Sequence, residues 1–339
     1  MAKQKSRGLL DRIEDIGDEI GEEIRELFGR QPAEPAGGKP EPVTRRVSLV
    51  IHDPKITSAG RKQLSQVLGW NETGKLVKGF IGDLKECSGG YANYEIVDEI
   101  TVDGMARKAD GYVYDPDEFV RFWKARKGFH QPDLVDYDAL MSEFKMVEKV
   151  ESGEIDEFWL FAFPYGGYYE SIMGGPGAFW CNAPPLTQTN HMSKRFVIMG
   201  FNYERGVGEM LEAYGHRAES IMKHVFRNER GDDNLWKRFW RHEHENPGRA
   251  EVGWMHYAPN SVRDYDWGNK RKVLSRWRTW KNFPNLEGEA EMVDCRDWGN
   301  GDIRLHHKWW FDLLPKVTGS ADGISYNWWK YIVDPNTVD

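Results

Sequence analysis

Residues 195–227 read RFVIMGFNYERGVGEMLEAYGHRAESIMKHVFR and decide the fold, because an apolar strand pattern passes directly into a helical pattern. The run 195–203 is almost continuously apolar, which is typical of a strand buried on both faces. Apolar side chains then recur at spacings of three and four across 205–227, which predicts one long amphipathic helix. A buried strand followed at once by a helix is a building unit of α/β folds.

Similar strand and helix patterns precede and follow this unit. Strands are predicted at 45–53, 91–102, 155–163, 195–203 and 251–258. Helices are predicted near 60–70, 73–87, 117–126, 136–152, 205–227 and 233–242. This alternation predicts an α/β fold with a mainly parallel sheet flanked by helices. After about residue 260 the pattern becomes irregular and Trp-rich.

The first 42 residues differ from the rest of the chain. Residues 8–28 carry Ile and Leu at helical spacing opposite an acidic face, so 1–30 is interpreted as an amphipathic docking helix. Residues 31–42, QPAEPAGGKPEP, form a Pro/Gly linker. We expect 43–339 to be a single large α/β domain with a C-terminal subregion at 228–339. The tethered helix can dock on another protein, self-associate, or pack on its own domain.

Composition narrows the class of protein. The 339 residues carry a net charge of −8, which disfavours nucleic acid as a partner. Residues 227–282 are locally basic and contain six Trp, which suits single-stranded nucleic acid, acidic glycans, or Arg–Trp packing alike. There is no apolar run of ~18 residues for a membrane span and no signal-peptide pattern, so we expect a cytoplasmic protein.

Three cysteines and many aromatic residues are the other notable counts. Cys87, Cys181 and Cys295 are too widely spaced for a disulfide framework or a zinc knuckle. The chain has 15 Trp, 14 Tyr and 16 Phe. Most of these rings are expected in the core, and the excess also suits a site that stacks on ring-shaped ligands. No glycine-rich phosphate motif is present, so no nucleotide cofactor is expected.

The helix at 205–227 carries the clearest candidate site. Glu209, Glu212, His216 and Glu219 fall on one face, and carboxylates with imidazole at these spacings can share a metal or a proton. The alternative is an ordinary polar face, either solvated or held in a lattice of salt bridges. His216-Arg217-Ala218-Glu219 resembles the HxxE zinc motif of metallocarboxypeptidases over four residues, and no other part of that family's pattern is present. Glycines within this helix suggest close backbone approach.

A metal site is predicted from the late histidines. His216, His256, His306 and His307 are the candidate ligands, because imidazole suits zinc and other divalent transition metals. Glu219 is expected to be a fourth ligand or a base that activates water. Glu212 and Glu170 complete the set of candidate catalytic residues.

Polar residues at strand ends are the candidate substrate-binding groups. The carboxyl ends of parallel strands share one edge of a sheet, where ligands bind in α/β folds. The loop 164–185, rich in Gly and Tyr, follows one of these strands. The predicted substrate-binding residues are Asp53, Tyr165, Trp180, Asn182, Asn202 and Glu204.

These observations support three hypotheses. The first is a metal-assisted hydrolase acting on a polar substrate such as a glycan or a peptide–glycan, with the C-terminal region as a roof. The second is a metal-free glycosidase or carbohydrate-binding protein, since paired carboxylates alone suffice for glycosidase chemistry. The third is a structural or cargo protein that docks through residues 8–28.

Overall fold

The computed structural model describes residues 36–339, so the predicted docking helix at 8–28 lies outside the described residues. The strands are β1 Val43–His52, β2 Lys55–Ile56, β3 Lys62–Gln63, β4 Ala92–Val102, β5 Glu157–Ala162, β6 Ser171–Gly174, β7 Phe196–Asn202, β8 Val273–Ser275, β9 Glu291–Val293, β10 Lys316–Ala321 and β11 Ile324–Asn327. The α-helices are α1 Leu64–Leu68, α2 Thr73–Cys87, α3 Pro116–Ala125, α4 Tyr137–Glu143, α5 Met146–Glu151, α6 Val207–Val225, α7 Leu235–Phe239, α8 Ile303–Asp312 and α9 Trp329–Val333. Single 3₁₀ segments lie at Thr57–Ala59, Thr187–Thr189, Gly231–Asp233, Trp277–Asn282, Cys295–Trp298 and Pro335–Thr337.

The central sheet has five strands in the order β4-β1-β5-β7-β6. β4, β1, β5 and β7 are mutually parallel, and β6 runs antiparallel to β7 at the edge. The sheet is therefore mixed, with mostly parallel strands flanked by helices. This confirms the α/β class predicted from the alternation of strand and helix patterns.

β5 shows why the sheet must be covered on both faces. All six of its residues are buried. Trp159 and Phe161 pack in one hydrophobic cluster, whereas Phe158 and Leu160 pack in a second cluster. Because successive side chains of a strand point to opposite faces, the two clusters lie on opposite sides of the sheet.

The edge strand β6 brings a loop back to the carboxyl edge of the sheet. Ser171 pairs with Met199, and the Gly200 N–H donates to the Glu170 carbonyl at 3.1 Å. A Cβ at Gly200 would lie 2.3 Å from the Tyr169 carbonyl oxygen, so this close pairing requires glycine. Glu170 is thereby held beside the end of β7, where α6 begins.

Two predicted elements differ in the structure. The helix predicted at 136–152 is divided into α4 and α5, because Lys145 has left-handed backbone (φ 51°). The strand predicted at 251–258 is wrong: this segment forms a tight turn closed by paired backbone hydrogen bonds of 2.9 Å between Trp254 and Tyr257. Gly253 has φ 92°, and this left-handed conformation ends any extended run. The segment buries its apolar residues by packing as a turn.

Tryptophan packing explains much of the aromatic excess after residue 228. Trp236, Phe239, Trp280 and Trp328 form a continuous set of ring contacts. Four Trp of the basic segment 227–282 are buried, namely Trp236, Trp267, Trp277 and Trp280. Buried rings cannot stack on nucleic-acid bases, so these four support the packing alternative for that segment.

A buried ion pair ties α6 to the sheet. Arg217 and Glu157 have side chains 0% and 1% exposed and are 2.9 Å apart. Trp159 Nε1 donates to the same carboxylate at 2.7 Å, and Arg217 Nε donates to the Ile332 carbonyl at 3.1 Å. Burial lowers the pKa of Arg217 and the neighbouring Glu157 charge raises it. The effect of the charge is larger, so the pKa of Arg217 is raised. The pair fixes the rotation of α6, which carries the candidate site on an adjoining face.

Candidate metal centre

Two glycines allow neighbouring segments to approach α6 closely. A Cβ at Gly208 would lie 2.6 Å from Ile303 Cγ2 at the start of α8. A Cβ at Gly215 would lie 2.0 Å from Met255 Sδ in the 254–257 turn. The expectation that helix glycines mark close approach is confirmed at both positions. The second contact places His256, which follows Met255, against the middle of α6.

The face of α6 predicted to be polar is covered in the structure. Its side chains are only partly accessible, with exposures of 6% for Glu212, 13% for His216 and 18% for Glu219. These three residues therefore do not form a solvated face, and the ion pairs between them match the salt-bridge lattice as well as an active-site face. Buried charged groups need partners, and each of the three has one within the same small group.

Glu212, His216 and His256 form a group that could hold a metal ion. His216 Nε2 and His256 Nε2 are 3.0 Å apart, and His256 Nε2 is 3.1 Å from Glu212 Oε1. The third edge, from His216 Nε2 to Glu212 Oε1, is 3.9 Å. Zinc ligands at about 2.0–2.1 Å in tetrahedral geometry lie about 3.3–3.4 Å from one another. The two shorter edges are slightly below this separation and the third is longer, so a point about 2.0 Å from all three atoms lies almost in their plane. The residue types suit a divalent transition metal, and a tetrahedral ion would require the edge between His216 and Glu212 to shorten.

Glu219 lies behind this group and orients it. His216 Nδ1 donates to Glu219 Oε2 at 2.9 Å, and the Met255 N–H donates to Glu219 Oε1 at 2.8 Å. One carboxylate thus joins both histidine-bearing segments. A proton on Nδ1 leaves the Nε2 lone pair available, and such carboxylate–histidine pairs are a recurrent feature of zinc sites.

Asp264 lies beside His256 Nδ1, as Glu219 lies beside His216 Nδ1, but at a longer distance. Its Oδ1 lies 3.6 Å from His256 Nδ1. This distance is too long for a direct hydrogen bond. Both imidazoles therefore turn Nε2 towards Glu212 and Nδ1 towards a carboxylate.

The electrostatics of the group favour a cation. Burial disfavours a proton on His216, but the hydrogen bond to Glu219 and the charges of Glu219, Glu170 and Glu212 outweigh it and raise its pKa to about 9. Burial would raise the pKa of the Glu212 carboxyl, yet interactions with His256 and His307 lower it well below its usual range. Without a metal, the site carries a proton on His216 at neutral pH. Metal binding must displace this proton and is therefore pH-dependent.

His306 and His307 lie outside the three-residue group. Both are fully buried, with their Nδ1 atoms 3.0 Å apart and with Trp267 against both rings. His307 Nε2 is 3.9 Å from Glu212 Oε2, on the far side of the carboxylate from His256. Burial lowers the pKa of both imidazoles. His307 thus lies next to the Glu212 carboxylate, on the side away from His256. His306 contacts His307 and not the three-residue group.

A cavity of about 250 Å³ lies at the carboxyl edge of the sheet, next to the group. Three predicted residues line it: Tyr165, Glu170 and Asn202. Glu170 connects the cavity to the group, because its Oε2 lies 4.0 Å from His216 Nε2. Asn182 does not line the cavity, but its Nδ2 donates to the same Glu170 oxygen at 2.7 Å. Of the strand ends expected to converge, the cavity therefore brings together those at Tyr165, Glu170 and Asn202.

The other predicted substrate-binding residues are not among the cavity lining. Asp53 is 7% exposed and accepts hydrogen bonds from the N–H and hydroxyl of Ser65, at 2.9 and 2.6 Å, which hold α1. Trp180 is 58% exposed on the surface. Glu204 is half-buried in the turn between β7 and α6.

Tyr265 belongs to the site, and sequence reasoning missed it. Its ring lies 4.4 Å from the His256 ring, and its N–H donates to the His256 carbonyl at 3.1 Å. Its backbone is left-handed (φ 59°), which is uncommon for a non-glycine residue and is concentrated at functional sites. Tyr165 and Asn182 share this conformation. The only sequence signal was its position within Asp264–Asp266, shortly after His256.

Comparisons with protein-family models, curated proteins and solved structures find no match to this chain. None of the helices in the described part of the chain has the length and apolar character needed to cross a membrane. The site itself is therefore the basis for inferring function.

Proposed function

We propose that this protein is a zinc-dependent hydrolase whose metal is held by Glu212, His216 and His256. The observation that carries the proposal is the triangle of 3.0, 3.1 and 3.9 Å between their ligand atoms. Three protein ligands and one open position are typical of catalytic zinc, whereas structural zinc has four protein ligands. The carboxylate behind His216 supports the same conclusion.

Glu170 is the proposed general base. It lies on the cavity side of the group, 4.0 Å from His216 Nε2, and its side chain is 42% exposed. A carboxylate at this distance is within reach of a water that sits between it and the group. Glu219 faces the opposite ring nitrogen and serves to orient His216.

The chemistry then follows from these positions. Bound zinc would supply a Lewis acid that promotes ionisation of water and stabilises developing negative charge. The water proton passes to Glu170 as the water oxygen bonds to the electrophilic carbon of the substrate. The bond from that carbon to the leaving nitrogen or oxygen then breaks, and Glu170 returns the proton to the leaving atom.

The substrate is proposed to be polar and small at its point of entry, such as one end of a glycan or a peptide–glycan. The cavity is smaller than the range of about 300–1,000 Å³ that is usual for drug-sized ligands. Tyr165 and Asn202 line it and offer hydroxyl and amide groups for a polar substrate.

The test is hydrolysis of chromogenic amide and glycoside panels by the zinc-loaded full chain and by the same protein after chelation. We expect turnover that is lost on chelation and restored by zinc. Glu170→Gln should reduce kcat by about 10²–10⁴-fold while zinc stays bound. Turnover that survives chelation, or normal turnover by Glu170→Gln, would contradict the proposal.

A metal-free carbohydrate-binding function is the second candidate. Trp180 favours it, because a Trp that is 58% exposed on a loop can stack on a sugar ring. In that case glycan binding survives chelation and is lost in Trp180→Ala. Binding that disappears on chelation supports the hydrolase instead.

A further inference from the structure

The cavity beside the metal group offers mostly hydrogen-bond acceptors. Glu170, Glu209 and Asp133 line it, and among the described lining residues Arg205 is the one cationic side chain. Asp133 is already paired with the buried amine of Lys108. Besides Asp133, the lining therefore has two carboxylates, Glu170 and Glu209, and one guanidinium, that of Arg205.

Asn202 offers no free donor to this cavity. Its amide is satisfied when the nitrogen faces the carbonyl oxygens of Ala162 and Phe163, at 3.0 and 3.3 Å. The nitrogen is then engaged with the protein backbone. A ligand that fits such a lining must be rich in donors, and an anion would meet two carboxylates at close range.

The two carboxylates lie at opposite ends of the cavity lining relative to the metal group: Glu170 belongs to the loop before β6, and Glu209 belongs to the first turn of α6. Glu170 is 4.0 Å from His216 Nε2, so it borders the metal group. Glu209 lies about two helical turns before His216, near the start of the helix, where its Oε2 accepts the Gly206 N–H at 3.0 Å. A ligand lying between the two would reach from the metal group towards the helix N-terminus.

We propose that this cavity binds a primary ammonium group of the substrate, with Glu209 as its principal partner. The proposal deepens the hydrolase function and rests on it for the location of the bond that is cleaved, next to the metal group. An ammonium has three donors and no acceptor, which is the complement of this lining. The ammonium therefore belongs either to the amino-terminal residue of a peptide or to an amino sugar.

Calorimetric titration of the zinc-loaded full chain at neutral pH tests the proposal. The probes are glycinamide and glucosamine, each paired with its N-acetylated, uncharged form. We expect the ammonium form to bind at least about tenfold more tightly than its acetylated partner, because a charge-assisted hydrogen bond is lost on acetylation. The better of the two ammonium probes identifies the source of the group.

Glu209→Gln removes the charge and keeps an acceptor for the Gly206 N–H, since Gln also serves in capping boxes. This variant should reduce the preference for the ammonium form by about tenfold and leave the affinity for acetylated probes unchanged. The matched control is Glu289→Gln at an exposed position, which should bind as wild type. Glu170→Gln provides a second test of the lining if Glu209→Gln does not fold.

The two proposals fail separately. Equal binding of ammonium and acetylated probes, or a preference that neither variant reduces, overturns the ammonium site even if the chain hydrolyses a neutral substrate. An ammonium preference that depends on Glu209, in a chain that hydrolyses no panel member, supports the site and overturns the hydrolase.

Discussion

Glu219→Gln is the perturbation whose effect can be followed most closely in the structure. The carboxylate accepts two hydrogen bonds, one from His216 Nδ1 at 2.9 Å and one from the Met255 N–H at 2.8 Å. An amide has one acceptor and one donor at these positions, so either orientation sets a donor against a donor. If the amide nitrogen faces His216, the favoured tautomer carries its proton on Nε2, and that nitrogen can no longer bind a metal.

The expected loss in zinc affinity is about 10–100-fold, or roughly 1.4–2.7 kcal/mol. This agrees with the loss of one hydrogen bond to a charged group, about 1.5–3 kcal/mol. Competition titration with a chromogenic chelator measures the affinity, and the cobalt(II) spectrum reports whether the ligand set is kept. Glu289→Gln, at an exposed position, is the matched control. Zinc affinity within twofold of wild type in Glu219→Gln would refute the assigned role.

Three further perturbations have defined outcomes in equilibrium unfolding. Gly215→Ala should cost about 1–3 kcal/mol by overpacking and weaken zinc binding, whereas Gly82→Ala, in an open part of α2, should stabilise by about 0.4–1 kcal/mol. Arg217→Met should cost about 3–5 kcal/mol, because Glu157 is left buried without its partner. Burial lowers the pKa of His52 to about 4, so its stabilising contribution holds above pH ~6.5 and declines by about 3 kcal/mol towards pH 4.

Each of these has a result that would contradict it. For Gly215→Ala it is unchanged zinc affinity. The double variant Arg217→Met/Glu157→Gln has no unpaired buried charge, so it should lose less free energy of unfolding than Arg217→Met alone. An equal or larger loss in the double variant would contradict the reasoning. For His52 the comparison is His52→Asn, which keeps an acceptor for the Tyr168 hydroxyl now 2.7 Å from Nδ1. The same acid-dependent loss of stability in both proteins would exclude this histidine as its source.

The sheet was predictable because burial leaves a local pattern. β5 and β7 are continuous apolar runs, and their predicted bounds are close to those observed. The turn at 254–257 was not predictable in this way, because its apolar residues are buried by tertiary contact with α6. Gly253, with φ 92°, was the only local sign that the run does not stay extended.

Only the part of the candidate site that lies on α6 could be predicted from the sequence. Glu212 and His216 are one helical turn apart, so their proximity follows from the helix. His256 is 40 residues further on, and its contact with His216 depends on tertiary packing, in which the Met255 side chain lies against Gly215. His306 and His307 have suitable ligand types but are directed into the core behind Glu212, which depends on how α8 packs.

Zinc K-edge X-ray absorption of the zinc-loaded full chain would identify the metal ligands themselves. We expect two imidazole nitrogens and carboxylate oxygen at about 2.0–2.1 Å, with one imidazole lost in His216→Ala and one in His256→Ala. His306→Ala is expected to leave the number of imidazole ligands unchanged, provided that it folds. A shell of oxygen alone, less than about 0.2 equivalents of bound metal, or spectra unaffected by both His216→Ala and His256→Ala would rule out this ligand set.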